Sequence, residues 1–280
     1  MTRLDGKTAL VTGSTDGVGR MVATRLGEAG AHVLVHGRDR ERGEQAVAAI
    51  EAGGGTAEFF AADLADLAEV RHLADRVRQR APRLEIVINN AGIGTNGADG
   101  SRQTSADGYE LRFAVNYLAP FLLTRLLLPP IMDSAPSRIV NVASAGQQAI
   151  DLADLMLTRG YSGSRAYCQS KLALVMFTFD LAEELRGSGV LVNCLHPATY
   201  MDTTMVREAG VTPRSSVEEG AEAILGLAVS PDLRSGLYFN GLRESRADAQ
   251  AYDGRARRRL RTISDELTGP AVRRKRTARG

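Results

Sequence analysis

A tyrosine and a lysine four positions apart, Tyr167 and Lys171, open a helix-forming stretch of this 280-residue chain. Residues at i and i+4 lie one above the other on a helical face, so the phenol and the ammonium are expected to be neighbours. A phenol with a pKa near ~10 is a poor base at neutral pH, and a close ammonium lowers that pKa. The pair therefore predicts a proton donor and acceptor that works near neutrality. A packing pair on an amphipathic helix is the alternative.

The choice of lysine at position 171 favours the chemical interpretation. The chain holds 32 arginines and only three lysines, Lys7, Lys171 and Lys275. Where arginine is preferred so strongly, a lysine indicates that a compact point charge is needed.

A cluster of small residues near the N-terminus predicts a pyrophosphate site. It joins the apolar run 8–12 to a helical pattern, which is the strand–helix junction that a dinucleotide-binding motif requires. Small residues let the backbone approach the phosphates, and the helix N-terminus presents N–H groups and a positive dipole end. A plain tight turn is the alternative. The residues assigned to the site are Gly13, Ser14, Thr15, Asp16, Gly17, Val18 and Gly19.

The end of the second apolar run bears on the choice of dinucleotide. It reads His36-Gly37-Arg38, followed by Asp39, where an acidic residue would hold a ribose 2′-hydroxyl. Arg38 suits a 2′-phosphate instead, through charge-assisted hydrogen bonds, although a solvated arginine is possible. Asp39 is expected to cap the next helix. The sequence therefore predicts NADP(H) rather than NAD(H).

Short apolar runs alternate with longer amphipathic stretches along most of the chain. This alternation predicts one α/β domain with a doubly wound parallel sheet of about seven strands and helices on both faces. The strand candidates are 8–12, 32–36, 56–60, 86–89, 138–142, 190–194 and 236–239, and the helix candidates are 17–30, 39–53, 65–80, 107–128, 165–187 and 217–229.

The combined motifs resemble the short-chain dehydrogenase/reductase family over roughly residues 5–240. The resemblance rests on the glycine turn, Asn89-Asn90-Ala91-Gly92, Asn116, Ser144 and the Tyr-x-x-x-Lys pair, in that order. It implies a Rossmann fold with strand order 3-2-1-4-5-6-7. It also implies hydride transfer between a nicotinamide cofactor and a carbonyl or alcohol.

Each site role that follows is implied by the resemblance. Asn116, Ser144, Tyr167 and Lys171 are the catalytic candidates. Tyr167 acts as general acid or base, Ser144 binds the substrate oxygen, Asn116 holds a water, and Lys171 lowers the tyrosine pKa and binds the ribose. The further cofactor contacts expected are Asp63 and Leu64 at the adenine, Asn90, Ala91 and Gly92 at the cofactor floor, and Pro197 with Thr199 or Thr203 at the nicotinamide amide.

Two segments depart from the common family pattern. Ser144 and Tyr167 are 23 positions apart, and the extra stretch near 148–165 is expected to form a short helix and turn beside the pocket. This insertion resembles the retinol-dehydrogenase-like branch, which acts on bulky apolar alcohols and aldehydes. After Pro197, Ala198 replaces the usual glycine, and residues 198–216 are expected to form a mobile flap over an apolar ligand.

Other functional classes remain possible at this point. A catalytically silent NADP(H)-binding sensor or scaffold is the main alternative, and a sugar-nucleotide epimerase could use the same Tyr–Lys pair. No spacing typical of metal ligands occurs, so no metal is expected.

Composition and charge bound the setting of the protein. No run of 18 apolar residues occurs, the N-terminus shows no apolar signal core, and two cysteines do not make a disulfide framework, so a cytoplasmic protein without a membrane span is expected. The domain is assigned to 1–260. A basic tail, 261–280, is expected to be disordered, and nucleic-acid binding by its Arg273–Arg276 cluster is judged the weaker interpretation. The family resemblance implies a homodimer or homotetramer paired through helices 107–128 and 165–187.

Overall fold

The apolar runs of the sequence form one sheet in the computed structural model, which describes residues 2–95 and 101–269. The strand order is β3-β2-β1-β4-β5-β6-β7-β8, parallel throughout except for the antiparallel pair β7–β8. The order expected for the first seven strands is confirmed, and the polar three-residue β8 adds an edge strand that the search for apolar runs missed. The strands are β1 (Thr8–Val11), β2 (His32–Gly37), β3 (Thr56–Ala61), β4 (Ile86–Asn89), β5 (Ser137–Val142), β6 (Val190–His196), β7 (Tyr238–Asn240) and β8 (Arg243–Ser245).

The helices begin where the sequence offers capping side chains. Asp16, Asp39, Asp66, Ser162 and Ser216 each accept a hydrogen bond from a first-turn N–H group. The helices are α1 (Gly17–Glu28), α2 (Arg40–Ala52), α3 (Leu67–Arg80), α4 (Leu111–Phe113), α5 (Ala119–Asp133), α6 (Gly163–Glu184), α7 (Thr204–Glu208), α8 (Val217–Val229) and α9 (Gly254–Thr268), with a π-helical segment (Ala114–Leu118) between α4 and α5 and a 3₁₀ turn (Ala249–Tyr252) before α9.

Two apolar clusters cover the two faces of the sheet. One contains side chains of α1, α2 and α8, and the other contains side chains of α3, α5, α6 and α9. Because both faces are buried, the central strands read as continuous apolar runs rather than alternating ones. The carboxyl ends of these parallel strands open at one edge of the sheet, which is where such folds bind ligands.

The helix from Leu111 to Asp133 is long and apolar enough to cross a membrane by length and composition alone. Its mean hydropathy is 1.3, but 78% of that stretch is buried inside the fold. A core helix of a globular protein has this character, because its apolar side chains already cover the sheet. The helix expected at 107–128 is therefore present, shifted toward the C-terminus.

The stretch inserted before α6 differs from the expected short helix and turn. Residues 145–161 form turns and bends without a helical segment. The Asp154 carboxylate explains part of this conformation: it accepts hydrogen bonds from the backbone N–H of Thr158 at 2.9 Å and of Arg159 at 3.1 Å. An aspartate that binds nearby backbone groups in this way favours turns over helix.

The predicted boundary between the domain and a disordered tail, at 260/261, is wrong, because it falls inside α9. The leucine pattern of that helix, with Leu260 fully buried, packs on the domain, and residues 261–268 are helical. The many arginines of this segment favoured the prediction of a tail, although the segment forms an amphipathic helix. The basic cluster at 273–276 lies outside the described residues.

Candidate active site

The glycine turn packs against the loop after β4 without room for larger side chains. Gly13 has φ +64°, and a Cβ built on it would lie 2.9 Å from Ala91 Cα. A Cβ on Gly19 would lie 2.2 Å from the carbonyl oxygen of Gly13, and one on Gly17 would lie 3.2 Å from Thr203 Cγ2. Glycine is therefore required here for close backbone approach, which is also what a pyrophosphate at the α1 N-terminus needs.

Asn90 locks the turn to the neighbouring strand end. Its Nδ2 donates to the carbonyl oxygens of Thr12 at 2.9 Å and Gly13 at 3.1 Å. The Thr12 hydroxyl in turn accepts from the N–H groups of Asn90 and Ala91. Both segments that the sequence assigned to the cofactor are thus held as one unit.

A buried histidine supports the same turn from below. The Gly13 N–H donates to Nδ1 of His36 at 3.1 Å, and the Ser14 N–H donates to the His36 carbonyl at 2.9 Å. Burial lowers the pKa of His36 to about 4, which keeps the ring neutral and Nδ1 available as an acceptor. The neutral His36 ring therefore fixes the position of Gly13 in the glycine turn.

The side chains at the ends of β2 and β3 lie beside one another. Arg38 is 70% exposed, and its Nη1 lies 4.0 Å from Oδ2 of Asp63. The guanidinium is largely exposed to solvent, and this ion pair is at the limit of contact distance. Leu64, which follows β3, is buried in the core, so its side chain supports the end of that strand from the interior. Asp39 caps α2, as expected.

Tyr167 and Lys171 lie on the first turns of α6 and face the end of β5. Lys171 Nζ lies 5.8 Å from the centre of the Tyr167 ring and donates to the carbonyl oxygen of Val142 at 2.9 Å. A Cβ placed on Gly146 would lie 3.5 Å from Ser144 Oγ and 3.7 Å from Tyr167 Cε1. The hydroxyls of the serine and the tyrosine therefore border the same small space.

Asn116 completes the group from the π-helical segment. Its Oδ1 accepts from the Ile93 N–H at 2.8 Å, and its Nδ2 donates to the Ile93 carbonyl at 3.1 Å. A Cβ on Gly92 would lie 3.2 Å from both Asn116 Oδ1 and Lys171 Nζ. The structure thus brings the four predicted catalytic residues to one region above the glycine turn.

Burial, rather than mutual charge, dominates the proton affinities of the pair. It raises the pKa of Tyr167 above its usual value, against a smaller lowering by the hydrogen bond with Ser144. It lowers the pKa of Lys171 to about 8. Burial therefore outweighs the lowering of the tyrosine pKa that the sequence led us to expect from the ammonium, which lies 5.8 Å from the ring centre.

The segment after β6 separates the two threonines that the sequence left open. Thr199 Oγ1 lies 3.1 Å from Nε2 of His196, whereas Thr203 caps α7 and faces Gly17. Of the two, Thr203 is the one on the cofactor side. Tyr200 between them has φ +48°, a left-handed conformation that costs free energy in a bulky residue. Such strain is common beside functional sites.

The flap is fastened to the glycine turn by a side chain assigned to the cofactor. The Thr204 hydroxyl donates to Oδ2 of Asp16 at 2.8 Å, while Oδ1 of Asp16 accepts from the Gly17 N–H. Arg42 Nη1 lies 3.9 Å from the same carboxylate and offsets its charge near the α1 N-terminus. The Asp16 side chain therefore belongs to the flap contact.

The sequence-based prediction did not include a buried ion pair that lies next to the site. Arg112, Glu110 and Tyr161 are hydrogen-bonded to one another, and the arginine also donates to two loop carbonyls. The signal was present: a single arginine within the apolar pattern of residues 111–123 has to be paired if it is buried.

The donors and acceptors fit a nicotinamide dinucleotide rather than a metal. The helix N-terminus and the glycine turn suit the phosphates, and Arg38 suits an anionic group on the ribose. Gly92 lets the backbone pass close to Lys171 and Asn116, where a Cβ would lie 3.2 Å from both side chains. Within residues 2–95 and 101–269, no cluster of three or more His, Cys, Asp or Glu side chains could hold a metal ion.

Comparisons with known proteins agree with this geometry. The family model described as short chain dehydrogenase matches residues 7–213. Retinol dehydrogenase 13 of Mus musculus is 39% identical, over 96% of this chain and 86% of the relative. The crystal structure of a putative uncharacterized protein from Mycobacterium paratuberculosis is 31% identical with a TM-score of 0.79, covering 96% of this chain and 95% of that one. The Pseudomonas aeruginosa RhlG/NADP active-site complex is 30% identical with a TM-score of 0.70, covering 85% and 95%.

Proposed function

Because the chain belongs to the short-chain dehydrogenase/reductase family, in its retinol-dehydrogenase-like branch, we propose that it is an NADP(H)-dependent enzyme that interconverts a carbonyl and an alcohol. The observation that carries the proposal is the convergence of Ser144, Tyr167, Lys171 and Asn116 above the glycine turn. A sensor or scaffold would not require this set of side chains together.

The residues divide the reaction between them. A nicotinamide cofactor held by the glycine turn would supply the hydride that the carbonyl carbon receives. Tyr167, kept protonated by burial, donates its proton to the carbonyl oxygen, and Ser144 donates a hydrogen bond to that oxygen as negative charge develops on it. In the reverse direction Tyr167 accepts the proton of the alcohol. Lys171, fixed by the Val142 carbonyl, provides positive charge on the ring side of the tyrosine.

The preference for NADP(H) rests on Arg38. The guanidinium is exposed just after β2, next to Gly37, whose added Cβ would lie 2.5 Å from Thr15 of the glycine turn, and its planar fork of donors matches a 2′-phosphate. The related RhlG was solved with NADP. The ion pair between Arg38 and Asp63 is long, at 4.0 Å, so a bound 2′-phosphate would replace Asp63 as the partner of Arg38.

The substrate is proposed to be apolar. Met205 and Tyr200 on the flap are 41% and 47% exposed, large side chains left in solvent at the mouth of the site. The curated relative acts on retinol by its name. The cytoplasmic location expected from the sequence stays a prediction, and the two free thiols, Cys168 and Cys194, are consistent with a reducing compartment. No observation tests the homodimer or homotetramer that the family resemblance implies, and α9 lies on part of the face through which it would form.

The deciding experiment measures NADPH oxidation over a panel of apolar aldehydes, ketones, quinones and steroids, with NADH in parallel. We expect turnover that Tyr167→Phe reduces by about 10²–10⁴-fold, because the general acid is lost. NADPH binding, measured by fluorescence, should change little. The matched control is Tyr252→Phe, an exposed tyrosine whose ring packs on Phe179.

Three results would overturn the proposal. They are retained turnover in Tyr167→Phe, equal catalytic efficiency with NADH and NADPH, or NADPH binding without turnover of any carbonyl. The last result would favour the sensor or scaffold function.

A further inference from the structure

Arg112 is a fully buried arginine whose hydrogen bonds reach two other segments of the chain. It is 1% exposed. Its Nε donates to the Gly94 carbonyl at 2.9 Å, and its Nη2 donates to the Thr95 carbonyl at 3.0 Å. Its Nη1 donates to the Tyr161 hydroxyl at 2.7 Å. All three guanidinium nitrogens are thus used.

The charge of this guanidinium is compensated inside the protein. Oε1 of Glu110 lies 3.4 Å from Nη1 of Arg112, and the Tyr161 hydroxyl donates to the same oxygen at 3.2 Å. The other carboxylate oxygen of Glu110 accepts from the Phe113 N–H. A buried ion pair of this kind costs desolvation free energy, so it is weak evidence for stability and better evidence for specific positioning.

The segment held by Arg112 is continuous with the catalytic floor. Asn116, one helical turn further along, binds both backbone groups of Ile93, while Arg112 binds the carbonyls of the next two residues. Residues 112 and 116 therefore clamp residues 93–95 with four hydrogen bonds from one helical face. Only Asn116 was foreseen from the sequence.

The same short segment touches the two other parts of the site. A Cβ on Gly163, at the start of α6, would lie 1.9 Å from the Thr95 carbonyl oxygen. A Cβ on Gly94 would lie 3.2 Å from Cγ of Met205 on the flap. Residues 93–95 are therefore packed between α4, the flap and the helix that carries Tyr167.

We propose that Arg112 is a positioning residue for the reaction: with Tyr161 and Glu110 it fixes residues 93–95 as one side of the opening through which a substrate reaches Tyr167. The inference rests on the proposed function for its effect on turnover, but not for its effect on the segment. Tyr161 belongs to the stretch inserted before α6, so the insertion is coupled to the wall of the site through this arginine.

The experiment compares Arg112→Lys, Tyr161→Phe and the control Arg125→Lys. Arg125 is a largely buried arginine on the same continuous helix, paired with Glu184 and far along the chain from residues 93–95. Hydrogen–deuterium exchange of a peptide covering 91–95 is followed in the cofactor-free protein, and steady-state kinetics are measured on the carbonyl panel.

A lysine keeps the charge but cannot reach both carbonyls, so exchange at 91–95 should accelerate in Arg112→Lys and, more weakly, in Tyr161→Phe. In Arg112→Lys, kcat for a bulky carbonyl should fall by about 10–100-fold, because a displaced wall misplaces the substrate. The KM for NADPH should stay within about twofold, since the glycine turn is held by other bonds. A general loss of fold would change both constants and the exchange of all peptides.

Failure of the inference is separable from failure of the proposed function. Unchanged exchange at 91–95 in Arg112→Lys, equal acceleration in Arg125→Lys, or accelerated exchange with unaltered kcat each overturns the inference. An inactive wild type overturns the proposed function instead, and the exchange comparison then still decides whether Arg112 holds the segment. The milder Tyr161→Phe keeps the test valid if Arg112→Lys does not fold.

Discussion

Burial shifts the pKa values of Tyr167 and Lys171, both on α6, in opposite directions. Burial disfavours the charged form of each, so the phenol keeps its proton more firmly and the ammonium loses its proton more easily. At neutral pH both groups are protonated in this geometry. That state suits carbonyl reduction, where Tyr167 must give up a proton.

This state makes a prediction about pH. Alcohol oxidation requires the deprotonated tyrosine, whose pKa is raised, so its kcat should rise with pH through 9 without levelling off. Carbonyl reduction should be flat between pH 6 and 7.5 and weaken above about 8, where Lys171 becomes neutral. Initial rates in both directions measure this, with circular dichroism at each pH as the control for folding. An oxidation plateau beginning near pH 7 would instead support the lowered tyrosine pKa expected from the sequence.

Arg38 permits a second test at the residue level. Replacing it by glutamine removes a charge-assisted hydrogen bond to a 2′-phosphate, which is worth about 1.5–3 kcal/mol. We expect kcat/KM with NADPH to fall by about 10–100-fold and kcat/KM with NADH to stay within about twofold. Arg40→Gln is the matched control, an exposed arginine two residues further that pairs with Glu44. Equal losses with both cofactors, or an equal effect of the control, would refute the role of Arg38.

Residue types and spacing were enough to predict the Tyr167–Lys171 pair and the glycine turn, because both have geometry that is local in sequence, whereas Ser144 and Asn116 were named only through the family resemblance. The contacts of Arg112 could not be named in the same way. Its partners Gly94, Thr95 and Tyr161 lie 17 to 49 positions away along the chain. His36 was visible as a strand-end residue, but its support of Gly13 depends on packing.

At the level of elements, the flap (residues 198–216) contains the short helix α7 and is attached to the domain by few contacts. The Met201–Ser215 bridge closes its base, and α7 buries none of its own residues. Its Thr204–Asp16 hydrogen bond is the contact that ties it to the glycine turn. An element with so little buried surface opens at low free-energy cost.

Removing that hydrogen bond should therefore loosen the cofactor site. In Thr204→Val the shape is kept and the hydroxyl is lost, so we expect NADPH to dissociate about 3–10-fold faster, the effect of roughly 1 kcal/mol at a solvent-exposed contact. Stopped-flow displacement of bound NADPH measures the rate. Thr262→Val, a similar exposed threonine on α9, should leave the rate unchanged. No acceleration in Thr204→Val would show that Asp16 does not hold the flap.

Element boundaries followed from the sequence wherever a cap and a clear period coincided. Asp39, predicted as an N-cap, located the start of α2, whereas no period could reveal that helix 111–133 contains a π-helical turn around Asn116. The short helix expected in the inserted stretch is absent for a different reason. Its leucines suggested a helix, but the carboxylate of Asp154 competes for backbone N–H groups and produces turns.

At the scale of the whole molecule, α9 lies on the helices through which the sequence led us to expect pairing with a second copy. The Ser264 hydroxyl hydrogen-bonds that of Tyr117 at 2.7 Å, and Arg261 pairs with Asp180 at 2.9 Å. Leu260 is buried in the core cluster shared with α5 and α6. A pair formed on this face would require α9 to leave.

We therefore expect the wild-type protein to sediment as a single chain at micromolar concentration, with α9 as an integral part of the domain. Leu260→Ala should lower the free energy of unfolding by about 2–5 kcal/mol, because it removes a buried leucine, and should raise the two-chain fraction as the covered face opens. Leu242→Ala is the control, since that leucine is 64% exposed. Urea unfolding and analytical ultracentrifugation measure the two effects. A wild-type dimer whose mass and stability are untouched by Leu260→Ala would mean that the chain pairs on another surface and that α9 contributes little to the fold.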